Sequence, residues 1–341
     1  MTDPRPLRSL GFIHLVPFDR DDPATGLREG VELFRFAEEL GLDSGWVRTR
    51  HLQYGLPSAS VFFGAVSQAT SRIGLGTAVI PVGHENPFRL AEDLGTADAL
   101  SGGRLLPGLS VHPPAYDDAV NGLVHGEGWR EEDYSYGRLE RLRGFLRGDR
   151  VREVPEYLGI GGDFDSERVE PVSPGLADRL WYGGGSLRSA QWAGEHGFHW
   201  LVSNISTSAS GELVDFGANQ REQIDAFRAA SPLGDEARAA VARVLVPTDG
   251  ASDEQLRKYR AYAEGRTERT TRVHGRGTII APDVLGSADG IVEFIRTDPA
   301  FRAADDYLFE LPFEFELDDW KQMLEQLAGE IGPRLGWSPA R

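Results

Sequence analysis

At 341 residues, with 40% hydrophobic and 26% charged content, the chain has enough apolar sequence to bury a large core, and its length suits one large α/β domain or two ordinary ones. The net charge of −17 disfavours a nucleic-acid partner, because affinity for a phosphate backbone comes from clustered basic residues. No cysteine is present, which excludes structural disulfides, thiolate catalysis and thiolate metal sites.

Strands alternate with helices along the chain. Leu10 to Val16 reads as an apolar strand, and Leu27, Val31, Phe34 and Ala37 then recur at helical spacing up to a stop at Gly41. Ser44 to Thr49 is the next strand, Ser58 to Thr70 the next helix, and Arg72 to Pro81 a third strand. A helix from Pro87 to Leu100, with proline in its first turn, leads through Gly102-Gly103 to a fourth strand over Arg104 to Val111.

Between His112 and Ala177 proline, glycine and acidic residues interrupt the alternation around one helix, Tyr136 to Arg147. It resumes with strand Arg179 to Tyr182, helix Ser186 to His196, strand His199 to Ile205 and a helix near Leu213 to Ala230. Strand Ala240 to Pro247 and helix Asp253 to Glu264 follow, then a loop over 265–283, a helix at Gly290 to Arg296, strand Asp306 to Leu311 and helix Asp318 to Ile331.

Eight strands, each followed by a helix, imply a parallel sheet and favour a closed (β/α)8 TIM barrel with insertions after the fourth strand and before the eighth. A doubly wound sheet is the alternative. No linker tract or internal repeat divides the chain, so residues 1–341 are expected to form one domain. The N-terminus lacks a signal-peptide core and no apolar run reaches about eighteen residues, so the expectation is a soluble, cytoplasmic protein without a membrane span.

In a barrel the active site lies at the C-terminal ends of the strands. The residues to inspect there are His14, Arg50, His51, His84, Ser110 to His112, Gly183 to Ser189 and Ser203 to Ser206. The stretch Gly183-Gly184-Gly185-Ser186-Leu187-Arg188-Ser189 is the most specific of these. Glycines allow close backbone approach, and a helix N-terminus offers unpaired N–H groups to an anion, so it reads as a phosphate cradle. It equally reads as a strand-turn-helix with Ser186 as N-cap.

Other patterns fail on inspection. No lysine follows the glycines, so they are not a Walker loop. Gly108-Leu109-Ser110-Val111-His112 lacks the second glycine of a nucleophile elbow, and Pro113-Pro114 blocks the helix that motif needs. Gly159-Ile160-Gly161-Gly162 reads as a turn. His14, His84, His112 and His125 could converge at the mouth, but without a carboxylate signature no metal is expected.

The segments DSGWVRTRH, SRIGLGTAV, NPFRLAEDLGTADALSGGR and RLWYGGGSLRSAQWAGEHGFHWLVS, in that order, resemble the bacterial luciferase-like family of flavin-dependent monooxygenases, and GSADGIVEFI resembles the family's late helix more weakly. The resemblance implies a (β/α)8 barrel that uses reduced FMN and O2 to oxygenate a small or medium apolar organic substrate, such as a carbonyl compound, through a flavin hydroperoxide. It places His51 beside the flavin as the catalytic histidine, Ala78 and Val79 at a cis peptide under the ring, and Gly184, Gly185, Ser186, Leu187 and Ser189 at the phosphate. Ser110 and Val111 stand where the family's luciferases carry a cysteine and a phosphate-binding arginine, so an arginine from the run Arg266 to Arg276 is expected to fold over the mouth and restore that contact. Trp46, Phe62, Phe63 and Trp129 are candidates for an apolar wall. A separate NAD(P)H:flavin reductase would supply the cofactor, and a homodimer would use the helix over 87–100. The alternatives are a 5-deazaflavin-dependent hydride-transfer oxidoreductase on the same barrel and a non-catalytic flavin-binding protein.

Overall fold

The computed structural model describes residues 5–152, 165–208 and 210–340. The Gly159 to Gly162 turn lies outside the described residues.

Ten hydrogen-bonded segments form one curled parallel sheet. Two strands are each broken into two segments, so the sheet has eight staves: β1 Ser9–His14, β2 Ser44–Val47, β3 Gly74–Thr77 resuming at Ile80–Pro81, β4 Leu105–Leu106 resuming at Gly108–Ser110, β5 Trp181–Gly184, β6 His199–Val202, β7 Ala239–Arg243 and β8 Asp306–Glu310. The first half of β3 pairs with the first half of β4 (Leu75 opposite Leu105) and the second half with the second (Ile80 opposite Leu109), while β4 also pairs with β5 and β8 with β1. The sheet therefore closes on itself as an eight-stranded parallel barrel.

The two breaks lie side by side. β3 is interrupted at Ala78–Val79, whose peptide bond is cis, and β4 at Pro107, which has no N–H for the ladder. Thr77 bridges the gap: its Oγ1 donates to the Gly108 carbonyl at 2.7 Å and accepts from the Gly108 N–H at 2.8 Å.

Alternate side chains point into and out of the barrel. Ile13, Trp46, Trp181, Leu201, Ala240, Ala242 and Leu308 form the interior cluster, with Ala78, Val79 and Leu106 packed on it. Trp46 and Trp181 meet edge to face there, 5.3 Å between centroids. The outward residues pack under the helices. Phe12 of β1 meets Phe34 of α1 (Pro23–Glu39) at 5.0 Å, and Phe34 in turn meets Phe62 and Phe63 of α2 (Ala59–Ala69). Phe62 and Phe63 are thus helix core and not a ligand wall.

Capping sets the helix starts. Asn86 accepts from the N–H groups of Phe88 and Arg89 at the start of α3 (Pro87–Ser101), which ends at Gly102 in the left-handed conformation with φ 71°. α1 starts at Pro23 and not Leu27, because Asp22 caps it and proline suits the first turn. The segment after β4 contains a helix that periodicity did not show, α4 (Asp118–His125), ahead of α5 (Tyr136–Arg147). Eight residues carry too few turns for a periodic signal.

Further on come α6 (Leu187–Glu195), α7 (Phe216–Ala230), α8 (Asp253–Thr270), α9 (Ala288–Thr297) and α10 (Leu317–Gln326). The last part of the predicted strands over 199–205 and 240–247 leaves the barrel. Ile205–Thr207 pairs antiparallel with Thr278–Ile280, and Leu245–Pro247 pairs parallel with Val284–Gly286. The predicted loop over 265–283 is correspondingly ordered, beginning with a final turn and a half of α8 and ending in these strands.

Candidate functional site

Two adjoining cavities open at the C-terminal mouth of the barrel. The first, about 580 Å³, is lined by His51, His84, Ala78, Val79, Ser110 and Gly184, with Tyr116 reaching in from the insertion and Leu201 and Ala242 at its apolar floor. The second, about 450 Å³, lies between the ends of β1, β7 and β8 and the excursion over 266–283. Both fall in the size range of small-molecule sites. Ile13, Arg48, Arg50, Gln53, Asn204 and Ile205 line both and form the seam.

Three histidines gather on one side of the first cavity. The rings of His51 and His84 lie 4.8 Å apart, and His84 Nδ1 is 3.2 Å from His125 Nε2. The Tyr116 hydroxyl donates to the His51 carbonyl at 3.0 Å and its ring lies 5.4 Å from His84, so the insertion pins the loop after β2. Burial, and then the neighbouring His125, lower the His51 pKa; burial and the facing His51, His125 and His112 lower that of His84 to about 4. Both rings are neutral near pH 7, and the buried His51 Nε2 has no hydrogen-bond partner. Among the described residues no three His, Asp or Glu side chains converge as a metal site.

His14 does not join this group. Ile13 takes the inward place on β1, so His14 points outward, packs edge-on against Trp320 of α10 at 4.3 Å and is buried, with its pKa lowered to about 3 by desolvation. Of the other wall candidates, Trp46 lies below the cavity in the barrel interior and Trp129 belongs to the insertion, where its carbonyl accepts from Tyr134. The apolar wall is instead Ile13, Ala78, Val79, Leu201, Val202 and Ala242.

The turn after β5 answers first to protein packing. A Cβ at Gly183 would lie 2.4 Å from Val79 Cγ1, and one at Gly185 would lie 2.3 Å from the Ile205 carbonyl, so both glycines are needed for close approach of other chain segments. Gly185 accepts from the Thr207 N–H and the Ser206 hydroxyl, which ties the turn to the 205–207 strand. Ser186 is the N-cap of α6: its Oγ accepts from the Ser189 N–H at 3.2 Å and lies 2.5 Å from Ser189 Oγ. Leu187 opens the helix, whose first N–H groups have no partner within it. Gly184 lines the first cavity, while Gly185, Ser186, Leu187 and Ser189 stand just beyond its rim.

The arginine run divides. Arg266 pairs with Asp283 and lies over the Tyr262 ring at 4.8 Å, Arg272 pairs with Glu268 at 2.9 Å, and Arg269 faces the second cavity. Sequence reasoning missed Arg48 and Glu310. They form an ion pair at 2.6 Å on the seam, and Asn204 also donates to Glu310 at 2.5 Å. Both lie at strand ends, but the apolar pattern runs on to Thr49 and Leu311 and so places them inside strands that end at Val47 and Glu310. Thr49 Oγ1, Arg48 Nε and Asn204 Oδ1 are, like His51 Nε2, buried polar atoms without partners. Such a ring of orphaned donors and acceptors around an open cavity fits a flat heteroaromatic ligand with both kinds of group on its edge.

The model of the luciferase-like monooxygenase family matches residues 10–326, and the chain belongs to this family. It is 26% identical over 222 residues to limonene 1,2-monooxygenase of Rhodococcus erythropolis, covering 59% of this chain and 56% of that protein. It is 30% identical over 183 residues to the F420-dependent glucose-6-phosphate dehydrogenase of Amycolatopsis mediterranei (strain U-32), covering 50% of this chain and 52% of that one. The match therefore spans about half the length of these relatives. The fold is shared with the FMN-bound oxygenating constituent of 3,6-diketocamphane monooxygenase from Pseudomonas putida, at TM-score 0.65 and 18% identity over 98% of this chain and 100% of that one. Among the described residues no helix is long and apolar enough to cross a membrane.

Proposed function

We propose that this chain is a reduced-FMN-dependent monooxygenase acting on a small or medium apolar organic substrate, its single barrel carrying the whole site. The observation that carries the reading is the neutral, unpartnered His51 Nε2 in the wall of a cavity whose other side is the Ala78–Val79 bend. Bound reduced flavin would supply the electrons that activate dioxygen. His51 would hold or pass a proton at Nε2, Ala78 and Val79 would support the ring's face, Ser110 would line its edge, and the turn from Gly184 through Ser186, Leu187 and Ser189 would take the phosphate. Tyr116 and the insertion that bears it would keep water from the mouth. The oxygenating constituent named in the Pseudomonas protein supports a separate NAD(P)H:flavin reductase as partner.

The F420-dependent relative supports a second reading, hydride transfer with a 5-deazaflavin. Anaerobic titration with reduced FMN and with reduced F420, each complex then mixed with oxygenated buffer, separates them. Tight FMN binding followed by slow, oxygen-dependent reoxidation supports the monooxygenase. Preferential F420 binding without an oxygen reaction establishes the dehydrogenase class, and a His51→Ala variant with unaltered oxygen reactivity would point to a non-catalytic flavin carrier.

A further inference from the structure

The second cavity adds Arg266, Arg269, Asp283 and Glu310 to the Arg48 and Arg50 that it shares with the first. Four arginines, Arg48, Arg50, Arg266 and Arg269, face two carboxylates, Asp283 and Glu310. Arg48 is paired with Glu310 and Arg266 with Asp283. Arg50 and Arg269 make no ion pair among the described residues. Two guanidinium charges thus stand unneutralised in one pocket of a protein whose net charge is −17.

Arg50 is half-buried beside Arg48; desolvation and then that like charge disfavour its charged form, and the attraction of Glu310 offsets them only in part. A guanidinium kept out of water without a counter-ion is costly, and a ligand acid group at this place would recover that cost through two-pronged hydrogen bonds. The remaining wall is apolar: Leu15, Val244, Ile280, Leu311 and Phe313. Facing an acidic surface, a small positive pocket also concentrates the field that draws an anion in.

We propose that this second cavity binds an organic anion with an apolar body, its carboxylate or comparable acid group held by Arg50 and Arg269. That this anion is also the substrate rests on the monooxygenase reading; the anion site itself does not. Because Arg50 lines both cavities, a molecule anchored there lies against the seam and within reach of the His51 cavity. Glu310 is hydrogen-bonded to Arg48 and Asn204 and makes no ion pair with Arg50, whose charge it favours only through space.

The test is calorimetric titration of the full chain, without flavin, with 4-phenylbutyrate and with its neutral amide, alongside separate titrations with FMN and with inorganic phosphate. The acid should bind about tenfold or more tightly than the amide. Arg50→Gln and the exposed-site variant Arg269→Gln should each reduce that preference, Arg50→Lys should keep part of it, and FMN affinity should not change. Equal binding of acid and amide, or no binding of either, would overturn the proposal. So would variants that lose FMN and phosphate affinity together while keeping the acid preference, since that assigns the arginines to the cofactor's phosphate. Acid binding in a protein that fails to bind FMN would leave the anion site standing and remove the monooxygenase reading instead.

Discussion

Val79 fills the space over Gly183: a Cβ on that glycine would fall 2.4 Å from Val79 Cγ1. Val79 stands in the break of β3 and Gly183 in β5, on either side of the broken strand β4, so the apolar bend of one stave is fitted to the bare backbone of another. Gly183→Ala should therefore destabilise the protein by about 1 to 3 kcal/mol through overpacking. Adding Val79→Ala removes the clashing methyl and should return part of that loss, seen as a positive coupling in urea denaturation. A double variant whose loss is merely the sum of the two singles would show that the glycine serves something other than this contact.

Acid should destabilise the fold well before carboxylates titrate. Burial lowers the pKa of His14 to about 3 and of His84 and His199 to about 4, whereas the same rings in the unfolded chain take up protons near pH 6.5. In the interval the unfolded chain binds more protons, so this stability is complete above about pH 6.5 and is lost as pH falls toward the folded values. His14 and His199 each contribute a slope of up to about 1.4 kcal/mol per pH unit, and the more exposed His84 contributes less because solvent screens it. Asp306, raised to about 6 by burial, and Glu85, also raised by burial, act in the opposite sense over part of the same window, against these three rings and His51, which burial also lowers. Urea midpoints measured from pH 7 to pH 4.5 should fall, and His14→Leu should flatten the curve while lowering stability at pH 7.

Much of this was readable in the sequence because barrel strands and their helices carry their own periodicities and caps. Pro87 in the first turn and Gly102-Gly103 at the end set α3 directly, while the strand read as continuous over Arg72 to Pro81 is present but broken at Ala78–Val79. The mouth followed from strand ends, which located His51, His84, Ser110 and Gly184 together. What was not legible depends on side-chain direction and long-range pairing. His14 sits one residue from Ile13, and a one-residue step in a strand moves a side chain from the cavity to the helix layer. The antiparallel pairing of Ile205–Thr207 with Thr278–Ile280 joins segments some seventy residues apart, and neither alone has a length or alternation that would reveal it. The Arg48–Glu310 contact likewise spans the chain.

Arg243 and Asp298 offer a sharper energetic test. The guanidinium is fully buried, 3.3 Å from the carboxylate, and lies 5.0 Å and 5.6 Å from the ring centres of Phe216 and Phe301. Asp298 also accepts from the N–H groups of Ala300 and Phe301. Asp298→Ala leaves a buried cation without its ion-paired carboxylate, held by the Ala242 carbonyl and the two rings, and should cost about 3 to 5 kcal/mol. Arg243→Met/Asp298→Asn removes both charges and should be clearly more stable than Asp298→Ala in the same denaturation series. If the double variant is the weaker of the two, the pair stabilises the fold by more than the avoidance of an orphaned charge.

Ser186 has two separable roles, and one substitution can measure both. As N-cap it satisfies the Ser189 N–H, so Ser186→Ala should cost about 1 kcal/mol of stability whatever the chain binds. As part of the proposed phosphate site, it stands where the N-terminal N–H groups of α6 and two hydroxyls meet, and removing one hydroxyl weakens only a ligand that carries the anion. FMN and riboflavin share the ring and differ in the phosphate. Ser186→Ala should therefore raise the Kd for FMN about tenfold and leave that for riboflavin unchanged, and Ser186→Thr, which keeps the hydroxyl, should restore both stability and affinity. Equal losses for the two ligands would mean that the turn acts through the shape of the first cavity and not through the phosphate, and an unchanged FMN affinity beside a lowered midpoint would reduce Ser186 to a helix cap.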